Sequence, residues 1–240
     1  MQASRRTVIR DYRTVRAVAS EIAEAAEETM EGYRRHRFTD EPHITDRLMG
    51  AIETKINAMT TAHLAMPLPL GGGLRMPLQW QAMTLRAGPA SAAHEQRFGA
   101  DILGVLTIRT RDYRNAKGFL AQAKRAEPSA SFSRGEWRRL RQQCEKMLAA
   151  TPDAFVIAYS RSKGVRFISA QAVASFEGRN LFELYDIGVR SFFERHLQSF
   201  IGDRRLDKPE IETLERLQAD EPEDERPSEH VLHLTATEIE

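Results

Sequence analysis

Asp101 opens an apolar run that continues to Ile108, and Gln122 and Lys124 stand two apart in a second apolar segment, Gly118 to Arg125. Successive side chains of a strand point to opposite faces, so Gln122 and Lys124 share one face while Ala121, Ala123 and Arg125 take the other. An ammonium among apolar side chains costs free energy unless an anion lies beside it. Asp101, on the neighbouring strand, is the expected partner of Lys124. Two readings are open at this point: an ordinary, partly buried ion pair on a core hairpin, or a carboxylate and an ammonium set side by side for chemistry.

The elements that would position these residues can be read from periodicity. Residues 10–36 form an amphipathic helix, with Val15, Val18, Ala19, Ile22, Ala26, Met30 and Tyr33 on one side. After a turn at Asp40-Glu41-Pro42, a second helix starts with Thr45 as N-cap and carries the stripe Leu48, Met49, Ile52, Ile56, Met59. Glu53 and Asp46 flank that stripe, and Glu41 sits just before the helix. Residues 66–77, rich in Pro and Gly, are a loop that lacks the Gly-Lys-Ser/Thr ending of a phosphate-binding loop. A short strand follows from Gln79 to Arg86, then the strand from Asp101 to Ile108, nearly continuous in apolar residues and so covered on both faces. Thr110 to Ala116 turns the chain, and Gly118 to Arg125 returns as an antiparallel neighbour. Ser133-Arg134-Gly135-Glu136 is a capping box opening a helix to Ala149, with Trp137, Leu140, Cys144, Met147 and Leu148 inside and Gln143 on the border. Ala154 to Tyr159 and Val165 to Ser169 are two further strands, residues 181–200 another helix, and the segment beyond Asp207 is expected to be largely disordered.

Composition limits the classes of function. The chain has 240 residues and a single cysteine, Cys144, so an internal disulfide framework and zinc fingers are excluded and a reducing cytoplasm is expected. Cys144 sits at an apolar helix position and reads as a core residue. The seven histidines show no metal-ligand spacing. Ser4-Arg5-Arg6 is followed by charged residues instead of the apolar run of an export signal, and no segment has the length of a membrane span. Residues 207–240 hold 12 Asp/Glu against 3 Lys/Arg, a net −9, and residues 1–206 hold 32 Lys/Arg against 22 Asp/Glu, a net +10. A basic body points to an anionic partner, nucleic acid first.

The order helix, three strands, helix, strand, with Gly99-Ala100-Asp101 at the second strand and Gln122-Ala123-Lys124 on the third, resembles the PD-(D/E)xK nuclease superfamily in its D…QxK variant. The resemblance spans roughly residues 41–170. It implies a restriction-endonuclease-like αβββαβ core: an α/β fold with a mixed central sheet flanked by helices. Residues 41–206 would form that domain, with residues 1–40 as an N-terminal helical extension packed on it and residues 207–240 as an acidic C-terminal tail. It implies Mg²⁺, or Mn²⁺, held by Asp101 and the Ala123 carbonyl, with Glu95 the next choice and then Glu53 and Glu41. Lys124 would stabilise the attacking hydroxide or the transition-state phosphate by charge. Gln122 would hydrogen-bond a metal-bound water or offer its amide oxygen, and Gln143 stands where some relatives place an active-site glutamine.

The resulting expectation is a metal-dependent endonuclease acting on DNA, in prokaryotic defence against foreign DNA. A catalytically silent nucleic-acid-binding or scaffold subunit and an RNA nuclease remain as alternatives. Lys117, Arg125, Arg134, Arg138, Arg139 and Arg141 are the expected phosphate contacts, with affinity falling steeply with salt. No base-reading module is visible, so specificity is assigned to an activating partner, a homodimer or the DNA itself.

Overall fold

The computed structural model describes residues 12–65, 78–85, 97–109 and 114–219. Strands β1 (Leu78–Thr84), β2 (Ile102–Arg109), β3 (Arg114–Arg125), β4 (Ala154–Ser160), β5 (Gly164–Ser169) and β6 (Asp186–Gly188) form one sheet in that order. All neighbours are antiparallel except β3 and β4, which run parallel. Helices α1 (Tyr12–Arg34), α2 (Glu41–Ala65) and α5 (Val189–Leu197) cover one face. Helices α3 (Arg134–Ala150), α4 (Ala170–Ser175) and α6 (Ile211–Ala219) cover the other. The fold is therefore α/β, a mixed open sheet between two helical layers. The parallel step from β3 to β4 requires a crossover, and α3 supplies it.

Burial on both faces explains the sequence of β2: Ile102, Leu106 and Ile108 enter the core under α1, α2 and α5, while Leu103 and Val105 enter the core under α3. Gly104 interrupts the run because a Cβ there would come within 2.7 Å of the Trp80 ring and 2.8 Å of Phe119. Around those rings lies an aromatic cluster centred on Phe192, which stacks on Phe167 with centroids 3.8 Å apart and meets Phe119 and Phe155 edge-on at 5.0 Å each.

The capping box of α3 is present: Ser133 Oγ accepts the Glu136 N–H at 3.2 Å, and Glu136 accepts the Ser133 N–H at 2.9 Å. Four expectations need correction. First, Thr45 is not the N-cap of α2. The helix starts at Glu41, Asp40 Oδ1 accepts the His43 N–H at 2.9 Å, and Pro42 costs no hydrogen bond in the first turn. Second, β3 begins at Arg114, so the expected turn extends at most to residue 113. Third, residues 181–200 are not one helix. A 3₁₀ turn at Leu181–Glu183, capped by Asn180, leads into β6, whose Asp186 pairs with Arg166 of β5 at 2.5 Å, and Gly188 then starts α5. Fourth, the acidic tail contains α6, which buries Leu214 and Leu217 in the same core as Leu206. The Pro/Gly-rich segment 66–77, the Gly88-Pro89 break and Glu95 lie outside the described residues.

Candidate functional site

The antiparallel register sets Ile102 opposite Ala121, which places Asp101 at the level of Gln122. Asp101, Leu103, Leu120, Gln122 and Lys124 all belong to the face that α3 covers, as alternation along the strands requires. The backbone N–H of Asp101 donates to Ala121 O at 2.9 Å, holding the chain in register one residue before the strand begins. Gly99, with φ +72°, precedes it; a Cβ here would collide with the backbone of Gln143. Glycine thus lets the segment leading to Asp101 lie directly on α3 at Gln143.

Asp101 and Gln122 are each 1% exposed. Gln122 Nε2 donates to Asp101 Oδ2 and, at 3.4 Å, to the Ala123 carbonyl; the Ala123 N–H also donates to Asp101 Oδ2 at 2.9 Å. Gln122 Oε1 is buried without a hydrogen-bond partner, and so is Gln143 Oε1 on α3. Leaving a buried amide oxygen unpaired costs about 1–3 kcal/mol, so each of these two oxygens is free to accept a hydrogen bond or a cation.

Lys124 does not pair with Asp101, as the sequence led us to expect. Its Nζ lies 3.2 Å from Glu41 Oε1, and Glu41 Oε2 accepts the Arg125 N–H at 3.1 Å. Glu41 reaches the end of β3 because the first turn of α2 is anchored there. Thr45 Oγ1 donates to Glu41 O at 2.8 Å and lies 3.0 Å from the buried Tyr159 hydroxyl, and Arg125 Nη1 donates to Thr39 O at 2.7 Å. The Thr45–Tyr159 anchor had no signal in the sequence, since 114 residues separate the partners. Lys124 and Glu41, with side chains 22% and 24% exposed, stand at the opening of a cleft of about 490 Å³ also lined by Arg125, Phe132, Arg139 and Gln143.

The other expected site residues separate. Glu53 is exposed and twelve residues along α2 from Glu41, about 18 Å by helical rise, so it does not join the site. Lys117 is not a phosphate contact. It is 1% exposed on the opposite face of the sheet, where its Nζ donates to His196 O. Burial lowers its pKa to about 8, Arg204 acting in the same direction and Asp153 against it. Arg125 and Arg139 line the Lys124 cleft, whereas Arg134, Arg138 and Arg141 line a different one. Cys144 is fully buried and its thiol is pushed up to about 12 by burial, which keeps it protonated and inert.

Among the described residues no three His, Cys, Asp or Glu side chains gather as a metal cluster. The donors available to a cation are instead Asp101, the Ala123 carbonyl and the amide oxygen of Gln122, all hard oxygens. Gln122 turns its Nε2 toward Asp101 and the Ala123 carbonyl, so the set suits Mg²⁺ or Mn²⁺, which take few protein ligands and retain waters, once that amide is reversed to present its unpaired Oε1. Compared with protein-family models, with curated proteins and with solved structures, the chain matches none of them.

Proposed function

We propose that this chain is a metal-dependent deoxyribonuclease of the PD-(D/E)xK type, with Asp101, Gln122, Ala123 and Lys124 as its site. The observation that carries the reading is the convergence of the Asp101 carboxylate, the Ala123 carbonyl and the Gln122 amide beside Lys124. The element order α2, β1, β2, β3, α3, β4, with β4 parallel to β3, supports a restriction-endonuclease-like core.

Asp101, the Ala123 carbonyl and Gln122 Oε1, brought inward by rotation of its amide, would hold the cation. Bound Mg²⁺ or Mn²⁺ supplies charge neutralisation at phosphorus and acidifies water. Lys124 exchanges its Glu41 carboxylate for the scissile phosphate and offsets the charge that grows there. Glu41, tied to the Arg125 N–H, keeps the ammonium in place when no substrate is bound. Gln143, on the cleft wall, offers an acceptor to water or substrate once its buried Oε1 turns outward. Arg125 and Arg139 attract the phosphodiester backbone to the opening. A cytoplasmic role in prokaryotic defence, with a protein partner or a homodimer giving specificity, belongs to the same proposal. Among the described residues no helix is long and apolar enough to cross a membrane.

One observation favours a second reading. Asp101 and Gln122 are closed off from solvent, and an amide replaces the second acid of the commoner motif, as in a silent DNA-binding subunit. Incubation of the purified protein with supercoiled plasmid, and separately with RNA, in Mg²⁺, Mn²⁺ and EDTA distinguishes them. Nicked or linear DNA with either metal and none in EDTA is the expected result. Intact DNA in every condition, from protein that still binds it, would move the assignment to the silent subunit, and cleavage of RNA alone would move it to a ribonuclease.

A further inference from the structure

Four arginines stand around a second cleft, of about 480 Å³, on the side of α3 away from Lys124: Arg134, Arg138 and Arg141 from the helix, and Arg179 from the loop before the 3₁₀ turn. The helical three sit at intervals of four and three residues, so they form one stripe, about 10 Å long by helical rise. Arg179 is held by a reciprocal pair of bonds: the Phe132 N–H donates to Arg179 O at 2.8 Å, and Arg179 Nη1 donates to Phe132 O at 3.3 Å. The loop itself is fixed where Asn180 Nδ2 donates to Pro128 O at 2.7 Å. Trp137, 4% exposed, lines the base of the cleft. The walls are therefore set before any ligand arrives.

The four arginines of this cleft outnumber its two carboxylates, Glu145 and Glu177, and none of them is paired with either. Among the described residues, no carboxylate lies within ion-pair distance of any of the four arginines, although Glu145 and Glu177 also line the cleft. Elsewhere the same surface pairs its arginines readily, as in Arg205–Asp203 at 2.7 Å and Arg97–Glu215 at 3.5 Å. Arg141 Nε is buried without a hydrogen-bond partner. Four guanidiniums against two carboxylates leave a local excess of positive charge, and with a donor unfulfilled they favour an anion with several acceptor oxygens.

We infer that this cleft is a second binding site, for the sugar-phosphate backbone of a nucleic acid, distinct from the cleft at Lys124. The choice of nucleic acid as the anion rests on the nuclease reading. A helix is about 10–12 Å across and the major groove of B-DNA about 12 Å wide. Helix α3 lying in that groove sets Arg139 and Arg125 against one backbone and the stripe of Arg134, Arg138, Arg141 with Arg179 against the other. Duplex DNA is thus gripped on both flanks of one helix, and the Lys124 flank faces the strand to be cut.

The test is anisotropy titration of a short labelled duplex over a series of salt concentrations in EDTA, so that cleavage is not required. The Arg134→Ala/Arg138→Ala variant removes two exposed side chains without a packing role, and Arg179→Ala, checked for folding, probes the loop. For the double variant the salt-dependence slope should fall by about two and affinity by about tenfold or more, with a drop of about one in slope for Arg179→Ala. Lys208→Ala, remote in sequence and 61% exposed, is the control and should stay within about twofold of wild type. Wild-type affinity and slope in both arginine variants would overturn the inference. So would loss of poly-glutamate binding with DNA binding intact, which would make the cleft a site for acidic polypeptides. If plasmid is never cut but the slopes still fall, the nuclease reading fails while the binding site stands.

Discussion

Replacing Lys124 with alanine should slow metal-supported DNA cleavage by about 10²–10³-fold at saturating DNA, the usual cost of removing a group aimed at developing charge. Two effects act together. The ammonium that, on the proposed function, would face the scissile phosphate is lost, and Glu41, still held by the Arg125 N–H, is left as an uncompensated carboxylate at the cleft opening. The fold should tolerate the change, because an ion pair with both partners partly exposed contributes only about 0–1 kcal/mol. Single-turnover cleavage beside a thermal melt separates the two outcomes. A rate within about threefold of wild type, from a folded variant, would remove Lys124 from the chemistry.

Phe192→Ala should produce the largest loss of stability, about 3–5 kcal/mol, with the midpoint of thermal unfolding lowered by about 6–20 °C. Phe192 is fully buried and touches Phe119 of β3, Phe155 of β4 and Phe167 of β5, so it joins three adjacent strands to α5. The cavity cannot collapse easily, since the surrounding rings are each fixed in a different strand. Urea unfolding gives the number, and a loss below about 1 kcal/mol would show that the cluster repacks.

The elements that present the site were legible where local pattern and tertiary role agree. The doubly buried run of β2, the capping box at Ser133 and the pairing of β2 with β3 follow from apolar periodicity and side-chain hydrogen bonding close in sequence. The partner of Lys124 was not legible. Alternation places Lys124 and Asp101 on one face, but the shorter Gln122 side chain fills the place beside Asp101, and the long lysine side chain reaches Glu41. Recognising Glu41 required knowing where α2 starts. Both Asp40 and Thr45 are chemically good caps, and the anchor that decides between them, Tyr159, comes from the far half of the chain.

Lys117 shows the same limit from the other direction. A lysine next to a polar turn reads as a surface charge, and only the approach of α5, through His196 O, makes it a buried donor. The helix pattern over residues 181–200 failed because its apolar positions belong to two elements interrupted by β6, whose Asp186–Arg166 pair and edge position on β5 carry no hydrophobic signature.

Cleavage of plasmid DNA by the wild type and by Asp101→Asn, in Mg²⁺ and in Mn²⁺, tests the assignment most directly. The asparagine keeps the shape of the side chain and an oxygen able to accept from Gln122 and the Ala123 N–H, while removing the carboxylate charge. The expected result is metal-dependent cleavage by the wild type, and only background cleavage by a folded, DNA-binding Asp101→Asn variant. Cleavage by that variant at the wild-type rate would contradict the placement of the site at Asp101.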